Sequence, residues 1–111
     1  MSFLTEDFFI GVIFIKFDYG KLELHLIPPE FEEALANVLM YGKNKYAEDG
    51  WKNIEGDVLT RTLNSILRHL LEIRKGNEVD KESGHLHIIH AATQCAIYYY
   101  HLKEKENELR S

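Results

Sequence analysis

Apolar residues recur at helical spacing over three stretches of the chain, and a fourth apolar stretch near the N-terminus does not. From Glu30 to about Tyr46, the residues Phe31, Leu35, Val38 and Leu39 mark one side of a helix. Pro28-Pro29 favours extended backbone before it and presets its first turn, Glu30 suits a helix N-terminus, and Gly42 weakens the pattern before the polar run Ala47-Glu48-Asp49-Gly50. A second helix is predicted from about Asp57 to Lys75, stopped by Gly76, with Leu63, Ile66, Leu67 and Leu70 as its buried stripe. A third runs from roughly Gly84 to Glu106, preceded by the capping-type residues Asp80, Glu82 and Ser83, and should bury Ile88, Ala92, Cys95 and Tyr99. Lys103 to Ser111 should be a solvated, frayed end. The run Phe8-Phe9-Ile10-Gly11-Val12-Ile13-Phe14-Ile15 is β-branched and aromatic, so it reads as a strand or extended arm.

The expected fold is therefore mainly α: a three-helix core with a short N-terminal β-like arm, within one domain covering 1–111. Residues 1–29 form the arm and Pro-Pro entry, 30–106 the helical core and 107–111 the tail. At 111 residues and 45% hydrophobic, the chain can build a single core. Three short helices and an apolar arm also leave much hydrophobic surface, which predicts self-association as a homodimer or higher homo-oligomer.

Composition narrows the function classes. A formal net charge of -5 argues against a nucleic-acid partner, which needs a basic face. The Phe8–Phe17 run is too short to span a bilayer and lacks the flanks of a signal peptide, so no membrane partner is indicated. The single cysteine, Cys95, precludes an intrachain disulfide and reads as a reduced core thiol of a cytoplasmic protein. A small anionic ligand would need local cations or a divalent metal to offset the acidic balance. There is no Walker-type loop, nucleophile elbow, zincin motif or cysteine zinc set.

The polar faces of the helices carry the candidate chemistry. Glu30, Glu33 and Asn37 share one side of the first helix, where carboxylates three apart suit either a hard divalent ion such as Mg²⁺ or plain solvation. Arg61, Ser65, Arg68 and Glu72 share a face of the second, with His69 at its edge; the two guanidiniums fit either phosphate oxygens or internal salt bridges. On the third, His87, His90, Gln94 and His101 lie away from the apolar stripe. Near Asp80 and Glu82, the pair His87 and His90 fits a metal, an acid/base role, a base or phosphate contact, or a structural role. Trp51 or Tyr46 fits purine stacking or core packing.

Five blocks in order resemble a known family. They are Phe17-Asp18-Tyr19-Gly20-Lys21 with Leu26-Ile27-Pro28-Pro29-Glu30; Tyr41-Gly42-Lys43-Asn44-Lys45-Tyr46 with Trp51; Leu67-Arg68-His69-Leu70; Gly76-Asn77-Glu78-Val79-Asp80-Lys81-Glu82-Ser83-Gly84; and His87 with His90-Ala91-Ala92. Together they resemble the phage-type dATP/dGTP diphosphohydrolase N-terminal domain. That resemblance implies hydrolysis of dATP or dGTP to the monophosphate and pyrophosphate, with Mg²⁺ or Mn²⁺ as cofactor. The distantly similar MazG-like all-α pyrophosphohydrolases hold their metal with E-E-x-x-E and E-x-x-D helices. Glu30 and Glu32-Glu33 are similar to the first; no E-x-x-D occurs, so His69, Asp80, His87 or His90 would have to substitute. His25, Glu23 and Gln94 depart from the family's usual residues.

The expected site follows from both lines of reasoning. Glu33, His90 and Asp80 are the candidate catalytic groups, and Glu30, Glu33, His69 and Asp80 the candidate metal ligands. Lys43, Lys45, Trp51, Arg61, Arg68 and His87 are the candidate contacts to a purine deoxynucleotide. The alternative is a non-catalytic protein that binds or sequesters a nucleotide or nucleotide-derived signal in the same pocket.

Overall fold

The computed structural model describes residues 20–45, 50–54 and 56–110. The strand-like run expected at Phe8–Ile15 lies outside them, as does Tyr46. Among the described residues the chain is helical: α1 Pro29–Lys45, α2 Val58–Arg74 and α3 His87–Arg110, with 3-10 turns at Leu24–Leu26 and Gly50–Asn53.

Each helix boundary has a local cause. Pro29 occupies the first turn of α1, where its missing N–H costs nothing, with Glu30 and Glu32 beside it. Asp57 caps α2, its carboxylate accepting the Thr60 N–H at 3.2 Å. Gly76, at φ +93°, ends α2 in a Schellman arrangement: Asn77 N–H donates to Glu72 O and Gly76 N–H to Ile73 O, both at 2.9 Å. The chain then turns through an isolated Val79–Leu86 bridge into α3. Asp80, expected among the caps of the third helix, instead organises this turn, because its carbonyl accepts the Gly84 N–H and its carboxylate accepts from Ser83 Oγ and Glu82 N. The end of α3, expected to fray, stays helical to Arg110.

The helix faces correct the sequence reading. The expected core of Phe31, Leu35, Leu63, Leu67, Leu70, Ile88, Ala92 and Cys95 does not form as a unit. Ile88 is 48% exposed and Phe31, Leu63, Leu67, Leu70 and Cys95 are exposed as well, while His87 and His90 are 7% and 8% exposed. Val38, Thr62, Ala91, Thr93 and Ile97 are the other buried residues among those described. Hydrophobicity alone assigned the leucine side of α2 and the isoleucine-tyrosine side of α3 to the interior. In the fold, the sides turned inward mix polar groups with Ala91 and Ile97, and the polar groups are satisfied there. Thr62 and Thr93 hydroxyls donate to the Val58 and Ile89 carbonyls, the imidazoles bond one another or Ser83, and among the described residues no buried side-chain polar atom lacks a partner.

Helix α3 is the hub, packing along α2 and also against α1 and the Gly50–Asn53 turn. Trp51 stands edge-on to Tyr100 at 5.0 Å, and its carbonyl accepts from His101 Nε2 at 2.7 Å. No helix among the described residues is long and apolar enough to cross a membrane.

Candidate functional site: a histidine cluster where α2 meets α3

The Schellman stop and the Asp80 turn return the chain so that His69 of α2 faces the first turn of α3. His69 Nδ1 and His87 Nδ1 lie 2.9 Å apart, so one ring donates and the other accepts. His69 also stacks on His90, with centroids 4.7 Å apart and planes 6° from parallel. On its far edge His90 Nε2 lies 2.6 Å from Ser83 Oγ and 3.3 Å from Asp80 Oδ2. Since the Ser83 hydroxyl donates to Asp80 at 2.8 Å, the consistent tautomer has His90 Nε2–H donating to Ser83 and leaves Nδ1 as the acceptor.

Burial favours the neutral form of two rings of this cluster, His69 and His90. Burial pushes His69 below its ordinary value, reinforced by His90 and His87. Burial also lowers His90, against an opposing pull from Asp80. Asp80 Oδ2 stands 3.3 Å from His90 Nε2 and reaches the ring through the shared Ser83 hydroxyl. Burial raises Asp80, but the Ser83 hydroxyl, the Glu82 N–H and His90 outweigh it and hold the carboxyl below its usual range.

A second layer comes from α1. Tyr41 stands edge-on to His85 and His90, at 6.0 and 6.4 Å, and its hydroxyl donates to Glu82 Oε1. Lys45 pairs with the same carboxylate, and that pairing is the largest influence lowering the Glu82 pKa. Beside this layer is a shallow cavity of about 200 Å³, lined by Ala34, Asn37, Gly84, His85, Leu86 and Ile89.

Of the residues singled out from sequence, the fold brings together His69, Asp80, His87 and His90, with Lys45 one residue away through Glu82. Arg68 is exposed, yet close enough for its charge to lower His69. Glu30 and Glu33 are exposed on α1, one turn before the cavity-lining Ala34 and Asn37. Lys43 and Arg61 are exposed, and Trp51 is engaged with Tyr100. Among the described residues no three His, Cys, Asp or Glu side chains are disposed to hold a metal ion. Sequence reasoning missed Tyr41 and His85 as site residues, and gave Ser83 no role beyond capping. Ser83 was legible as the partner of an Asp three residues earlier, a turn-forming pair.

The chain matches the family described as dATP/dGTP diphosphohydrolase, N-terminal, over residues 15–110. A curated relative, the dATP/dGTP diphosphohydrolase of Salmonella phage PMBT28, is 38% identical over 91 residues, covering 82% of this chain. The chain spans 30% of that relative's length. No solved structure matches it. The family match takes in α1, α2, the Asp80 turn and all of α3, so the histidine cluster and its cavity lie wholly within the matched region, and the chain belongs to the dATP/dGTP diphosphohydrolase N-terminal family.

Proposed function

We propose that this domain handles purine deoxynucleoside triphosphates, converting dATP or dGTP to the monophosphate and pyrophosphate. The observation carrying this reading is the convergence of Asp80, Ser83, His69, His87 and His90 beside an open cavity, inside the region matched by a family named for that activity. Neutral imidazoles fit proton transfer near neutral pH, and His90, held by Ser83 and Asp80, is the candidate for orienting water. Arg68 and Lys43 are the candidates for neutralising phosphate charge. Mg²⁺ or Mn²⁺ would enter with the triphosphate, whose oxygens supply most of its ligands, and Glu30, Glu33 and Asp80 are the carboxylates at hand. The cation would polarise the phosphoryl group under attack.

Incubating the 111-residue chain with dATP or dGTP and Mg²⁺ or Mn²⁺, and measuring released pyrophosphate, tests the reading. Turnover that falls in His90→Gln and Asp80→Asn, with unchanged circular dichroism, supports it. Absence of pyrophosphate from the wild-type chain counts against catalysis. Non-catalytic binding is the second reading, favoured by one observation: His87 and His90 hydrogen-bond His69 and Ser83, while His85 is the imidazole lining the cavity. Nucleotide binding without pyrophosphate release would select it.

A further inference from the structure

The apolar stripes that the fold leaves outside are not scattered. On α3, Ile88, Ala92, Cys95, Tyr99 and Leu102 follow one another at steps of four, three, four and three, and on α2 Leu63, Leu67 and Leu70 do the same. That alternation is the heptad spacing of a helix seam. Ile88, Cys95, Tyr99, Leu102, Leu63, Leu67 and Leu70 are all exposed.

The two stripes form one surface. Asp57 at the start of α2 feels the charge of Lys105 near the end of α3, whereas His69 in the second half of α2 meets His87 at the start of α3, so the helices run antiparallel. That register puts Leu63 level with Tyr99, Leu67 with Cys95 and Leu70 with Ala92, and Ile88 extends the stripe one turn further. At about 100° per residue, each stripe is rotated by roughly 100° from its helix's contact line, toward higher residue angle on both. Antiparallel helices turn in opposite senses along a common view, so both stripes emerge on the same side of the pair. Helix α1 approaches α3 from the other side, through Ile89 and His90.

We propose that this surface docks a second copy of the chain, face to face, so that two α2–α3 pairs make a four-helix bundle with the cavities on its outer sides. The apolar side chains exposed there present roughly 500–600 Å², and a standard interface takes about 800 Å² per partner with little over half of it apolar. None of these residues is charged, and the charges beside them on α3, Lys103 over the Tyr99 ring and Glu106, pair with each other. The seam spacing calls for helices as the partner, and a two-fold interface supplies them from the same surface.

Sedimentation analysis of the 111-residue chain at micromolar concentration tests the proposal, with twice the 13.0 kDa chain mass as the expected result. Leu67→Glu and Tyr99→Glu should each raise the dimer dissociation constant by at least about 100-fold, since each buries an unpaired carboxylate in the seam. Leu22→Glu, at an exposed residue off the seam, should leave the dimer intact. Tyr99 is 61% exposed in the single subunit, so its variant carries the test if Leu67→Glu fails to fold. A monomeric wild-type chain overturns the proposal, as does a dimer that survives both seam variants. A dimer that survives them but is lost in Phe14→Glu overturns it in favour of the N-terminal apolar run.

Discussion

Acidification tests whether His69 and His90 are neutral in the folded chain. His69 and His90 both have folded-state values below the ordinary 6.5, with burial as the largest cause. A base whose folded value is depressed binds fewer protons in the native state than in the unfolded one, so stability rises with pH across that window. The contribution is fully present above about pH 6.5 and is lost progressively as pH falls toward the folded values. Two groups that stayed neutral in the fold down to pH 5.5 would remove about 2.5 kcal/mol between pH 7 and 5.5. His69 is only half-buried, and solvent screening brings the expectation to about 1–2 kcal/mol. Asp80, held low by Ser83 and Glu82, adds a loss of the same sign only at more acidic pH. Urea unfolding followed by circular dichroism between pH 7 and 5.5, at constant ionic strength with a chelator, measures this. His90→Gln keeps a donor for Ser83 and should flatten the slope by about one proton's worth, roughly 1.4 kcal/mol per pH unit at its limit. Stability that held level or rose on acidification would refute the reasoning, because it would mean that the rings are charged in the fold and paired with Asp80.

Other predictions follow from individual residues. Gly76→Ala forces a side chain into φ +93° at the end of α2 and should cost about 1–2 kcal/mol by urea unfolding, with binding of dATP unchanged. Asp57→Ala removes the α2 cap and should lower the thermal midpoint, an effect that Asp57→Asn largely rescues. Trp51→Ala should destabilise by at least the roughly 0.5–1.5 kcal/mol of an edge-to-face pair, and a nucleotide affinity left intact would mark Trp51 as a packing residue. Arg68→Ala should weaken dATP binding in calorimetry by about 1.5–3 kcal/mol, and Glu33→Gln should abolish metal-dependent pyrophosphate release without altering the helix signal; an unchanged affinity or rate would remove that residue from the site.

Sequence by itself determined the local structure. Pro28-Pro29, Asp57, Gly76 and the 3.6-residue periodicity placed three helices within a few residues of their observed limits, because caps, stops and propensities act over one turn. The five ordered blocks likewise pointed to the family. Tertiary structure decided which side of each helix turned inward. The leucine stripe of α2 and the Ile88–Tyr99 stripe of α3 are the more hydrophobic faces, yet the single chain buries His87, His90, Thr62 and Thr93. Periodicity can rank faces by hydrophobicity, but it cannot show that His69 will find His87, or that Asp80 and Ser83 will fold back to hold His90. Those partners are 7 to 18 residues apart along the chain, and only the path of the Gly76–Leu86 turn brings them within hydrogen-bonding distance and satisfies the polar groups turned inward between two helices.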